Sequence, residues 1–100
     1  DNFAIKWASQ KGHTEVVKLL LKDERVDPSS GNNFSIRYAS KNGHVEIVRL
    51  LLADERVNPS AEDNFAIKWA SQKGHTEVVN CLKTALYNMQ INQKMDIFKL

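Results

Sequence analysis

Apolar residues recur along this chain with a helical period rather than in strict alternation. From Phe3 to Gln10, advancing about 100° per residue, Ala4, Ile5, Ala8 and Ser9 fall on one face and Phe3, Lys6, Trp7 and Gln10 on the other. The spacing predicts a short helix whose inner side is lined by small residues. Gly12 and His13 mark a joint, and beyond them Val16, Val17, Leu20 and Leu21 form a stripe opposite Glu15, Lys18 and Lys22. The slim inner side of the first helix lets this second helix approach closely. Helices shorter than about 12 to 15 residues are marginal alone in water, so each pair must stack on a neighbour.

The neighbours are supplied by repetition at an offset of 31 residues, marked by Phe3, Phe34 and Phe65. Units 1–31 and 32–62 agree at 18 of 31 positions, and the third, 63–100, opens with the first 17 residues unchanged. The Asp or Asn pairs at 1–2, 32–33 and 63–64 are placed to cap the first helices. Pro28 and Pro59, each after Asp or Asn and before small polar residues, predict turns that return the chain to the next pair. In the third unit Leu21 and Leu52 give way to Lys83, and Leu19 and Leu50 to Cys81, so its outer side is expected to turn polar where a fourth unit would pack. Leu82, Ala85, Leu86 and Met89 extend the apolar stripe for two more turns and predict one long final helix. From Ile91 to Leu100 polar and apolar residues alternate with no clear stop signal, and partial order is expected.

Length and charge narrow the class. One hundred residues make one modest core, and the longest aliphatic run, Leu50 to Ala53, is far short of the roughly 20 residues of a membrane-spanning helix. The chain opens on Asp1 without an apolar leader, which reads as no signal peptide and as a missing upstream sequence. Lys and Arg number 14 against 12 Asp and Glu, with five basic and five acidic side chains in the first unit and four of each in the second. No concentrated basic patch of the kind that holds nucleic acid stands out, so neither nucleic acid nor membrane is an expected partner. The single cysteine, Cys81, cannot form an internal disulfide and fits a reducing compartment, hence an intracellular protein of cytoplasm or nucleus.

The segments GHTEVVKLLL and GHVEIVRLLL, with GHTEVV a third time, resemble the ankyrin repeat, whose core pattern reads GHLEVVKLLL. The resemblance covers roughly residues 1 to 90. It implies an all-α solenoid of stacked helix pairs with short connecting loops and, here, a C-terminal capping helix. Departures are the family's TPLH helix start, which appears as Phe3 to Lys6, Phe34 to Arg37 and Phe65 to Lys68, and the absent glycine after the second helix. The shortened unit, with its DERVDPS-like joints, is similar to arrays common in protists and large DNA viruses.

Candidate chemistry is sparse. His13, His44 and His75 stand one unit apart, about 10 Å in a stack, too far to share a metal, and a turn-stabilising role fits them better. Cys81 reads as a small apolar residue, and Asp23-Glu24 and Asp54-Glu55, each followed by Arg, as solvated joints. No catalytic residue, cofactor or metal site is expected. What remains is surface: Lys6, Arg37 and Lys68 form a ladder, with Gln10, Lys41 and Gln72 one turn on, and Trp7, Tyr38 and Trp69 form a second ladder that either anchors a partner or fills the seams between units. The resemblance implies binding of proteins through the first helices and loop tips. This adds Ser29, Ser30, Gly31 and Asn32, and Ser60, Ala61, Glu62 and Asp63. The expected function is therefore a non-enzymatic interaction module, its basic ladder favouring acidic segments. The alternatives are an architectural or self-associating unit, docking through a bare N-terminal face, and a targeting fragment of a longer protein.

Overall fold

The computed structural model describes residues 2–98, with side chains through Met95. Six helices follow one another: α1 (Phe3–Lys11), α2 (Thr14–Leu21), α3 (Ser30–Lys41), α4 (Val45–Leu52), α5 (Ala61–Gln72) and α6 (Thr76–Phe98). They form three pairs, with α1, α3 and α5 stacked in one layer and α2, α4 and α6 in the other. No strand occurs among the described residues.

The first helices end because Gly12, Gly43 and Gly74 adopt φ of +85°, +76° and +77°. The next amide then turns back, His13, His44 and His75 donating to the carbonyls of Ala8, Ala39 and Ala70 at 2.9 Å each. The core lies between the layers. In the central pair Ser35, Ile36, Ala39 and Ser40 of α3 are wholly buried, as are Ile47, Val48 and Leu51 of α4. Both stripes read from the sequence are therefore the packed faces. Close approach carries a local cost, because the hydroxyls of Ser9, Ser35 and Ser40 are buried without a hydrogen-bond partner.

The expected N-caps are not caps. Asn2 makes no side-chain bond to its own helix, and its Oδ1 instead accepts the amide of Asp27 at 2.7 Å. Asn33 does the same for Asn58 at 2.8 Å, so each asparagine pins the far joint of its own unit. Asp1 lies outside the described residues. At the second and third units the chain enters the helix through a left-handed turn, Gly31-Asn32-Asn33 and Glu62-Asp63-Asn64, with φ between 54° and 67°. Asn and Asp tolerate this region better than other side chains, while Glu62 sits there against its preference and its carboxylate accepts Asn32 Nδ2 at 2.6 Å.

The joints are built as the prolines suggest, though the acids are more than solvated. Asp23 takes Arg25 in a fork, Nε at 3.1 Å and Nη2 at 2.8 Å, and Asp54 takes Arg56 the same way. Arg56 also donates to the Val26 carbonyl at 3.1 Å, tying the second joint to the first.

The final helix is long, as the apolar stripe predicts, and runs through Phe98. Residues 99–100 lie outside the described residues. Cys81 does not lie on the outer side of the third unit, as its replacement of leucine suggested. Its column contains Leu19, 67% exposed, and Leu50, partly covered, so the column faces the preceding unit. Cys81 packs on the core beside Arg49, and Lys83 is the substitution that faces outward. No described helix is long and apolar enough to cross a membrane.

Candidate interaction surface

Stacking of α1, α3 and α5 brings the expected ladders together, but the rungs are not equivalent. Lys6 is half-buried, lying 3.5 to 3.6 Å from the place a Cβ would occupy on Gly31 in the turn that enters α3. Arg37 donates through Nε to the Asn32 carbonyl at 3.0 Å and through Nη2 to the Gly31 carbonyl at 3.1 Å, clamping its own left-handed turn. Lys68 is exposed. In the next row Gln10 is half-buried, with its carbonyl accepting Asn42 Nδ2 and facing His44 Nε2, each at 3.0 Å; Gln72 is exposed.

The aromatic ladder is not uniform in its surroundings. Phe34 and Tyr38 stack at 4.3 Å, Tyr38 meets Phe65 at 5.4 Å and Phe65 meets Trp69 at 6.0 Å, so Tyr38 and Trp69 sit partly buried in the seam of the second and third units. Trp7 remains 44% exposed and stacks on His13 at 4.7 Å. Cations cover this row: the Arg37 guanidinium lies 5.1 Å from the Phe65 ring and Lys41 Nζ 4.3 Å from that of Trp69. Phe3, Lys6, Trp7, Gln10 and Phe34 outline a notch of about 200 Å³ between the first two units.

Among the tips, Ser29 and Ser60 belong to the turns, each giving its amide and hydroxyl to Asp27 or Asn58 two residues back. Ser30 and Ala61 are half-buried, and Gly31, Asn32, Glu62 and Asp63 are exposed. Asp23 is held down to about 2, chiefly by the Arg25 guanidinium, and Asp54 is lowered by Arg56 in the same way.

The histidines act between units. Nε2 of His44 lies 3.0 Å from the Gln10 carbonyl and that of His75 3.1 Å from the Lys41 carbonyl, each ring seated on the glycine of the preceding pair. No group of three or more metal-ligating side chains gathers among the described residues.

Sequence reasoning missed one feature, a groove of about 790 Å³ bordered by Leu52, Val57, Pro59, Cys81, Ala85 and Met89. It opens because α6 runs straight on where the first two units turn into a joint. Tyr87, in register with Arg56, is then exposed on a helix instead of reaching the Val57 carbonyl.

Among curated proteins no sequence matches the chain closely enough to name as a relative. The family pattern for ankyrin repeats matches in three copies over residues 5–95, the span of the three helix pairs. Such repeats are in general protein-interaction modules, and this chain, by pattern and by architecture, belongs to the ankyrin repeat family.

Proposed function

We propose that the chain is a non-enzymatic module that binds an acidic protein segment along α1, α3 and α5 and the adjoining tips. The carrying observation is the aromatic row overlaid by Arg37 and Lys41, continued by Lys6, Trp7 and the notch beside them. Half-exposed rings with cations lying over them offer carboxylates a charge partner and apolar side chains a seat. A surface built on stacked helices is preformed, so binding orders little of the protein. The lone thiol of Cys81 supports an intracellular setting.

The test uses the chain's two tryptophans, Trp7 and Trp69, which both lie on this surface. Acidic peptides containing aromatic residues are titrated while intrinsic fluorescence is followed. Lys6→Glu, Lys41→Glu and Lys68→Glu together should abolish the response, Arg37 being kept because it clamps the Gly31-Asn32 turn. Equal binding by the variant refutes the reading.

A second reading, self-association through the face of the first pair, is favoured by Val16 and Leu19, which are 41% and 67% exposed.

A further inference from the structure

The joints after α2 and α4 are built alike. In each, the amide of Val26 or Val57 returns to the carbonyl of Asp23 or Asp54, the next amide goes to Asn2 or Asn33, and Ser29 or Ser60 closes on Asp27 or Asn58. What lies against them differs. The first joint seats a guanidinium: Arg56 Nη1 donates to the Val26 carbonyl at 3.1 Å, and the Asp27 carboxylate attracts it. The second joint carries the corresponding carbonyl on Val57, and no donor meets it among the described residues. Because α6 is helical where another joint would bring its arginine, this seat opens into the groove between the second joint and α6.

The groove has the chemistry to take what the seat lacks. Glu55 on its border is exposed and holds no ion pair among the described residues, whereas Asp54 is taken by Arg56 at 2.9 Å and Arg49 by Glu46 at 2.8 Å. The uncompensated charge is therefore negative. Asn58 stands where the first joint has Asp27, which leaves Glu55 as the carboxylate available to a cation. Along α6, Asn80, Thr84, Asn88 and Asn92 stand four residues apart and border the same groove. At about 1.5 Å per helical residue their pitch is about 6 Å. An extended chain repeats every two residues, about 6.6 Å, so alternate peptide groups can meet successive rungs. The three asparagine amides are exposed and make no hydrogen bond of their own among the described residues, and each offers the donor and the acceptor that a peptide group needs. Leu52, Pro59 and Met89 give apolar side chains a floor.

We propose that this groove binds an extended, arginine-bearing segment of a partner protein, its guanidinium donating to the Val57 carbonyl beside Glu55 and its backbone lying along the asparagine row of α6. The contact copies the one that Arg56 makes on the first joint. A planar fork suits a seat with a carbonyl on one side and a carboxylate on the other better than a lysine ammonium does. The site goes beyond the acidic-segment surface proposed above: it lies in the other layer of the stack and selects the opposite charge.

The probe is the capped peptide Ser-Val-Arg-Val-Ser, titrated to about 5 mM into the isotope-labelled full chain and followed by heteronuclear NMR. The Asn58 amide, whose peptide carbonyl is that of Val57, should shift together with the side-chain amides of Asn80, Asn88 and Asn92. Norleucine in place of the peptide's arginine should bind about tenfold more weakly or worse, and lysine should fall between the two. Glu55→Lys should weaken the arginine peptide several-fold, and Asn88→Arg, which puts a cation into the groove, should block it. Both change exposed side chains, and unaltered helical spectra confirm that the stack is intact. The Lys6→Glu, Lys41→Glu and Lys68→Glu variant should bind this peptide as the wild type does, so the two sites are tested apart. A still Asn58 amide at about 5 mM, equal binding of the norleucine or lysine peptide, or full binding by Glu55→Lys overturns the inference. Loss of the peptide in the triple variant places it on the other face and overturns it as well.

Discussion

Alanine at Gly12, Gly43 and Gly74 separates two costs that the same Gly-His motif incurs. All three glycines have left-handed φ, so each substitution places an L side chain in a conformation costing about 1–2 kcal/mol. At Gly74 that is the whole cost, since the new methyl meets nothing within 4 Å. At Gly43 the methyl would lie 2.7 Å from the His75 ring, which must leave its seat and give up its contact with the Lys41 carbonyl. Losing a hydrogen bond of this kind costs about 0.5–1.5 kcal/mol, and the displaced ring loses packing as well. Gly12→Ala and Gly43→Ala should therefore each be destabilising by about 1–2 kcal/mol more than Gly74→Ala, which is a melting difference of roughly 4–16 °C in a domain this size. Urea unfolding followed by helical circular dichroism measures the differences. A double-mutant cycle isolates the cause, because in a His75→Ala background the Gly43→Ala penalty should fall to that of Gly74→Ala. Equal losses at all three glycines, or an unchanged Gly43 penalty without the imidazole, would refute the reasoning.

Asn33→Ala should be destabilising by about 1 kcal/mol more than Asn64→Ala, because φ is +61° and +63° at the two sites but only Asn33 holds the amide of a following joint; chemical denaturation compares them. Ser35→Ala should raise stability by about 1 kcal/mol, since the buried hydroxyl has no partner and Ala66 already occupies the same place in the third unit; the melting temperature reports it. The Asp23 and Asp54 carboxyls are depressed in the folded chain, so their contribution is complete above the ordinary carboxylate pKa near 4 and fades as pH falls below it, for Asp23 towards about 2. Stability should decline over that window, and Asp54→Asn should flatten part of the decline in melts recorded from pH 5 to pH 2.

The helix pairs, their packed faces and their number were legible in the sequence because each unit carries its own short-range instructions. Gly12, Gly43 and Gly74 stop the first helices, the stripes at Ile36 and Ala39 and at Val48 and Leu51 fall at helical spacing, and the 31-residue period declares the stack. The residues of the candidate surface were legible for the same reason, since identical positions in stacked units must form a row. Their states were not. Tyr38 and Arg37 belong to the same rows as Trp7 and Lys6, yet Tyr38 lies in a seam because Phe65 of the following unit meets it, and Arg37 clamps a turn because its guanidinium reaches the Gly31 and Asn32 carbonyls.

Roles that depend on partners distant in sequence were decided by the tertiary structure alone. Asn2 and Asn33 read locally as caps but bind amides 25 residues away, and His44 and His75 read as turn residues but reach carbonyls 34 residues back. Local sequence sets which backbone conformations are cheap. Which donor meets which acceptor is set by how the units stack, and that registers in no single unit's pattern.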